Sequence, residues 1–291
     1  MKIEHGGSTH VGRVRERNED SFRVVPAEHL YVVADGMGGH EGGAEASRIA
    51  VDSISEFFRR TESAEGGTWP HIATWIHDQH ACRLVSSIQY AHRGVVDAAW
   101  RRPGGPSIMG TTVVALLFAD GQVYVAHVGD SRAYRFMDER LIQITTDHTV
   151  IEDIKRRYQL TRDQQKSLGS IKHLVARALG GRETGDVEVD MTVIVPAPGE
   201  TFVLCSDGLT NELTDDGIAG ILSTTDSLQD AADRLIKAAV DAGGSDNVTV
   251  ILARYVEGDE EDEEFVPFVE EDTQESTLLA IPPEEDDLAG P

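Results

Sequence analysis

The chain has 291 residues, 40% of them hydrophobic, which is enough for one large globular domain or two small ones. Its formal charge of −25 is concentrated in residues 257–291, where 15 acids meet no Lys or Arg; the first 256 residues hold 36 acids against 26 bases. A body this acidic is a poor grip for nucleic acid, because phosphate neutralisation supplies much of that affinity, so no nucleic-acid partner is expected.

The N-terminus Met1-Lys2-Ile3-Glu4-His5 is polar, no apolar run is long enough to cross a bilayer, and two cysteines are too few for a disulfide framework. A cytoplasmic, monomeric protein with no membrane partner is the expectation. In chain order, a stretch with three arginines runs from Gly12 to Asp20, and strand patterns follow at 21–25 and 30–34. The second strand ends on Asp35, and glycines stand at 36, 38, 39, 42 and 43. A helix at 44–59 has Ala46, Ile49, Ala50, Ile54, Phe57 and Phe58 on one face. Another ends near Arg101, before Pro103-Gly104-Gly105, with Val85, Ile88, Val95, Val96 and Ala99 inward. Between them His71, His77 and His80 lack the i, i+4 spacing of a helical metal pair and are read as ordinary surface residues.

Strands at 111–118 and 122–128 flank Asp120-Gly121, a hairpin signal, and 132–137 reads as a third. Segment 147–182 is polar and reads as irregular, a flap beside a site or a plain surface excursion, with Asp147-His148 at its start as a helix cap. Strands at 187–195 and 201–205 lead to a helix at 227–240, where Asp226 and Gln229 are placed as a capping box, and a last strand covers 248–255. Long consecutive strands with few helices between them argue for antiparallel sheets covered from outside by helices, an α+β fold in four layers, α-β-β-α. Residues 1–256 form the expected domain. Residues 257–291 are an acidic tail, expected to be disordered because they cannot bury enough to offset chain entropy.

Four carboxylates share one pattern. Asp35, Asp130 and Asp207 follow apolar strands beside a glycine, and Asp246 precedes one. Antiparallel neighbours bring strand ends and starts together, so all four can meet at one sheet edge. Carboxylates gathered at low dielectric repel one another unless cations hold them. An all-oxygen set selects Mg²⁺ or Mn²⁺ rather than zinc. Two such ions can activate a water and clamp an in-line displacement at phosphorus. Near them, Arg15 suits a phosphoryl group through two parallel hydrogen bonds, and Glu19 suits a role on metal-bound water.

Together these residues resemble the metal-dependent protein serine/threonine phosphatases of the PPM, or PP2C-type, family. The resemblance runs from about Gly6 to Tyr255. It rests on six motifs in order: Arg15–Asp20, Asp35–His40, Met109–Thr112, Gly129–Arg132, Ser206–Thr210 and Ser245–Thr249. It implies a PP2C-like β-sandwich flanked by helices and a two-metal centre holding Mn²⁺ or Mg²⁺. Asp35 would bridge both ions, with Asp207, Asp246 and the Gly36 carbonyl completing them and Asp130 taking a third, weaker ion. Arg15 would hold the substrate phosphate, and Glu19 and Asp20 would close the catalytic set. A metal-bridging water would attack phosphoserine or phosphothreonine directly, opposing a Ser/Thr protein kinase. Met37 stands where some relatives have a His, the nearest imidazole being His40, and Asn211 where some have an aspartate.

Two rival readings share these residues: a phosphoprotein-binding pseudophosphatase, which the intact acids argue against, and a two-metal nuclease, which the acidic surface and the lack of a basic, aromatic groove argue against. A cysteine phosphatase is excluded, because Ile88 and Asn211 stand six positions after Cys82 and Cys205. Cys205, beside Val203 and Leu204, is expected in the core.

Overall fold

The computed structural model describes residues 2–38, 41–61, 78–102, 109–158, 174–181 and 185–256. His40, His71, His77, Pro103-Gly104-Gly105, the middle of the 147–182 excursion and the 257–291 tail lie outside them.

One sheet has the order β1 (Lys2–His10), β12 (Val248–Val256), β11 (Thr201–Cys205), β7 (Arg132–Met137) and β8 (Arg140–Gln143). The other has the order β10 (Asp190–Ile194), β6 (Gln122–Val128), β5 (Val113–Ala119), β3 (Leu30–Met37), β4 (Gly110–Thr111) and β9 (Leu179–Gly180), with β2 (Asp20–Val25) also paired to β3. Every pairing is antiparallel.

The central strands read as unbroken apolar runs because both of their faces are buried, while the side chains still alternate with period two. Tyr31 and Val33, Val114, Leu116 and Phe118, Phe202 and Leu204, and Ile251 and Ala253 meet between the sheets. Leu30, Val32 and Ala34, with Val113, Ala115 and Leu117, turn outward onto α1 (Gly42–Thr61) and α2 (Gln79–Arg101). On the far side, Val203, Cys205, Val248, Val250 and Leu252 pack against α4 (Asp207–Thr210), α5 (Asp215–Ser223) and α6 (Leu228–Ala242). The four layers are therefore those expected. Burial pushes the Cys205 thiol up to about 12, as befits a core residue.

Four expectations need correction. The strand expected at 111–118 is interrupted at Thr112: its N–H keeps its bond to the carbonyl of its register partner Asp35 (2.9 Å), but the Asp35 N–H goes to the Thr112 hydroxyl (3.1 Å), which also meets Ser131 Oγ at 2.7 Å. The last helix is capped one residue later than the capping box suggests: Ser227 Oγ accepts from the Asp230 N–H. Gln229 instead holds both polar groups of Gly7 on β1. The 147–182 excursion begins with a helix, α3 (Val150–Arg157), capped by Thr149 and not by Asp147. Asp147 is held by both ends of the Arg132 guanidinium, at 2.9 and 2.7 Å. Lastly, Asp35 lies inside β3, two residues before its end, because β4 extends the ladder to Met37.

β1, β8 and α5 were not expected. β1 is a sheet edge with Gly6-Gly7 at its middle, and Ile3 is its one hydrophobic side chain packed on the core, so its sequence carries no strand period.

Candidate metal centre

Five elements deliver acids to one cleft of about 940 Å³, lined by Arg15, Glu19, Asp35, Gly36, Met37, Asp130, Asp207, Asp246 and Asn247 among others. Asp20 and Asp35 are register partners on β2 and β3. Asp130 lies two residues past the end of β6, Asp207 opens α4, and Asp246 stands two residues before β12.

Electrostatics show how close the acids are. Burial raises the Asp35 carboxyl well above its ordinary value, and repulsion from Asp20, Asp207, Asp130 and Asp246 raises it further, in that order. Asp20 is pushed up to about 7, chiefly by burial and then by Asp207 and Asp246, against hydrogen bonds from Thr249 and Ser206 that lower it. Asp130 is also pushed up to about 7, by burial and then by Asp207 and Asp147. A fold that brings this many carboxylates together without cations must hold protons on some of them.

The N-terminal stretch is tied to the acids by Asn247. Its side-chain amide donates to the Val11 and Arg17 carbonyls, each at 2.9 Å, and its Oδ1 accepts from the Glu19 N–H at 2.8 Å. Its own N–H donates to Asp246 Oδ1 at 2.8 Å. This knot sets Arg15 against Asp246, with Nη2 to Oδ2 at 2.7 Å, and the bond holds the guanidinium above its usual pKa. Asn211 donates to Asp207 Oδ2 at 3.0 Å. Met37 lies in the cleft wall, and His80 is spent on Asp120 at 2.9 Å.

Two observations test whether cations fit here. The buried Asp20 accepts from Ser206 and Thr249 on Oδ2, at 2.8 and 2.7 Å, while its Oδ1 has no hydrogen-bond partner. Gly36 packs so closely that a Cβ would lie 2.2 Å from the Gly43 carbonyl oxygen and 2.5 Å from that of Glu19. The donors are all oxygen, the choice of hard divalent ions. The residues fit. Gly36→Ala is expected to cost about 1–3 kcal/mol of stability through this overlap and to weaken cation binding, as thermal unfolding and a Mn²⁺ titration would show.

Thr112, Ser206, Asn247 and Thr249 were not singled out by sequence reasoning, although each lies inside a quoted motif. For Ser206 and Asn247 the signal was a polar residue adjoining a candidate acid at a strand end; Thr112 and Thr249 carried no such signal.

Residues 7–242 match the model of the protein phosphatase 2C family. The chain belongs to that family. This protein phosphatase 2C chain is 36% identical over 244 residues to the serine/threonine phosphatase stp of Listeria welshimeri, spanning 83% of this chain and 91% of that one. The crystal structure of the Mycobacterium tuberculosis serine/threonine phosphatase PstP/Ppp superposes with a TM-score of 0.73 at 30% identity, over 88% of this chain and 99% of that one. The PstP catalytic domain in complex with two manganese ions gives 0.71 at 30% identity, over the same shares. The family fold expected from the motifs is thus the one adopted.

Proposed function

We propose that this chain is a protein serine/threonine phosphatase that hydrolyses phosphoserine and phosphothreonine with the help of Mn²⁺ or Mg²⁺. The observation that carries the reading is the convergence of four other acids on Asp35 in a cleft bordered by Arg15. Its relatives' names and the two manganese ions in the PstP structure support it. Asp35, Gly36, Asp207 and Asp246 would hold two cations, and Asp130 a third, weaker one. Bound cations would neutralise the acids and lower the pKa of the water that attacks phosphorus directly, with no phosphoenzyme.

The chain's own groups do the rest. Arg15 presents a planar guanidinium for the phosphoryl oxygens, and its bond to Asp246 ties that grip to a cation ligand. Asn247 sets the backbone of Glu19, and so fixes where its carboxylate starts. Asp20 Oδ1, bare of protein donors, would be open to accept from a water in the cleft. Met37 has no proton to give, so the leaving alkoxide must take its proton from another group, and water is the candidate we favour.

We assign catalysis to residues 1–256, with 257–291 as a separate acidic arm. The substrates of such a monomeric, cytoplasmic enzyme are the products of a Ser/Thr protein kinase, whose chemistry it reverses. Among the described residues no helix is long and apolar enough to cross a membrane.

Hydrolysis of a phosphothreonine peptide with and without Mn²⁺ is the direct test; activity that survives EDTA would refute the reading. Arg15→Lys is expected to raise KM for that peptide about tenfold, with a smaller change in kcat. Lysine keeps the charge but loses the two-pronged geometry.

A further inference from the structure

His127, His148 and Asp190 each bring one potential ligand atom within 4.8 Å of the others, and nothing above uses them. The trio has the composition of a metal site, but its bonds point elsewhere. His148 Nδ1 accepts the Gly129 N–H at 3.1 Å, and its Nε2 faces Asp190 Oδ2 at 3.3 Å. Asp190 Oδ1 accepts from Arg177 Nη1 at 2.6 Å, so a cation already neutralises that carboxylate. The His127 ring stacks on His148 with centroids 4.5 Å apart, and its Nε2 is bonded to the Thr146 carbonyl at 2.8 Å. Burial, His127 and Arg177 push His148 down to about 4, which keeps Nδ1 bare as an acceptor.

His148 also donates its backbone N–H to the Gly129 carbonyl at 2.9 Å. Both polar groups of Gly129 are therefore held by one residue. Gly129 has a φ of +110°, and a Cβ there would lie 2.6 Å from Thr112 Cβ, so no other residue fits this turn. The next residue is Asp130. On its other side, Ser131 Oγ is bonded to Thr112 at 2.7 Å. The same His148 accepts the Ala176 N–H at 2.8 Å, and Thr149 bridges to Val175, which lines the cleft.

We propose that His148 is a positioning residue for Asp130: by gripping Gly129 it fixes the carboxylate of the weaker cation place, and it links that carboxylate to segment 174–177 at the cleft rim. The proposal rests on the reading of Asp130 as a cation ligand.

The test is Mn²⁺ binding to the full chain, followed by electron paramagnetic resonance of free Mn²⁺. In His148→Leu the weakest binding step is expected to lose about tenfold in affinity, the size of one lost buried hydrogen bond, while the tighter steps change less than twofold. His148→Asn, whose Oδ1 can take the Gly129 N–H, is expected to recover most of the loss. Asp190→Ala leaves the Gly129 bonds formable but frees the ring, and should lose a few-fold; it keeps the test alive if His148→Leu does not fold. Asp130→Asn should remove the weakest step, and His148→Leu should then add nothing. Equal weakening of every step in His148→Leu, or none, would overturn the proposal. A whole cation lost from His148→Leu but not from Asp130→Asn would make the trio itself a metal site and also overturn it. If Asp130→Asn keeps every step and His148→Leu loses none, the role of Asp130 is what fails.

Discussion

Asp35→Asn is expected to lower Mn²⁺-dependent hydrolysis of a phosphothreonine peptide by about 10³-fold or more, and at the same time to make the cation-free protein more stable. The two effects share one cause. Asp35 sits where burial and four other carboxylates act together, so its charge is the most costly in the cleft without cations and the most useful with them. The amide keeps the side-chain volume and removes the charge. Turnover falls because Asp35, as a proposed cation ligand, would lose its charge, a larger change than the 10–100-fold typical of residues behind a ligand. Thermal unfolding in EDTA at pH 8 checks the second half: the variant should melt several degrees above the parent. If it melts no higher, the acids do not repel one another as the structure implies.

Cation affinity is expected to rise steeply with pH from about 6 to 8, with protons released as Mn²⁺ binds. The folded carboxyls of Asp20 and Asp130 are pushed up to about 7, and that of Asp35 is raised well above its ordinary value. Without cations, the folded protein therefore holds protons that the unfolded chain gives up near pH 4. The stability from these groups is complete below that pH and is lost as pH rises through about 7. Cations reverse the preference, because their ligands must ionise, so each binding event expels protons and competes with them. Calorimetry in two buffers of different ionisation enthalpy counts the protons. Affinity that stays flat across this range would mean that the acids are already ionised before the metal arrives.

How legible was this in the sequence? β6, β7 and β11 were readable to the residue, because each is rich in Val, Phe, Tyr or Leu and has a Gly or Asp within two residues of each end. The acids were readable because strand ends and antiparallel pairing fix where they gather. β1 was not: with Gly6-Gly7 at its centre, its strand character comes from β12 and from the Gln229 grip, both more than 200 residues away. Thr112 was hidden for a related reason. Its residue type suits a strand, and only its hydroxyl, which takes the Asp35 N–H and meets Ser131, interrupts the ladder there. The Asp147 cap failed because a guanidinium across the sheet offered a better partner than the start of α3. Local pattern thus located the elements and the acids, while the hydroxyl and amide groups that hold them in place depend on contacts distant in sequence.

The β1–β12 ladder also sets Lys2 directly opposite Val256. The backbone from 2 to 256 is thus almost a closed ring, and a short linker across that ladder would complete it. New ends opened at the Asp120-Gly121 turn, where a Cβ on Gly121 would touch nothing within 4 Å, should leave a rearranged chain that still assembles its cleft.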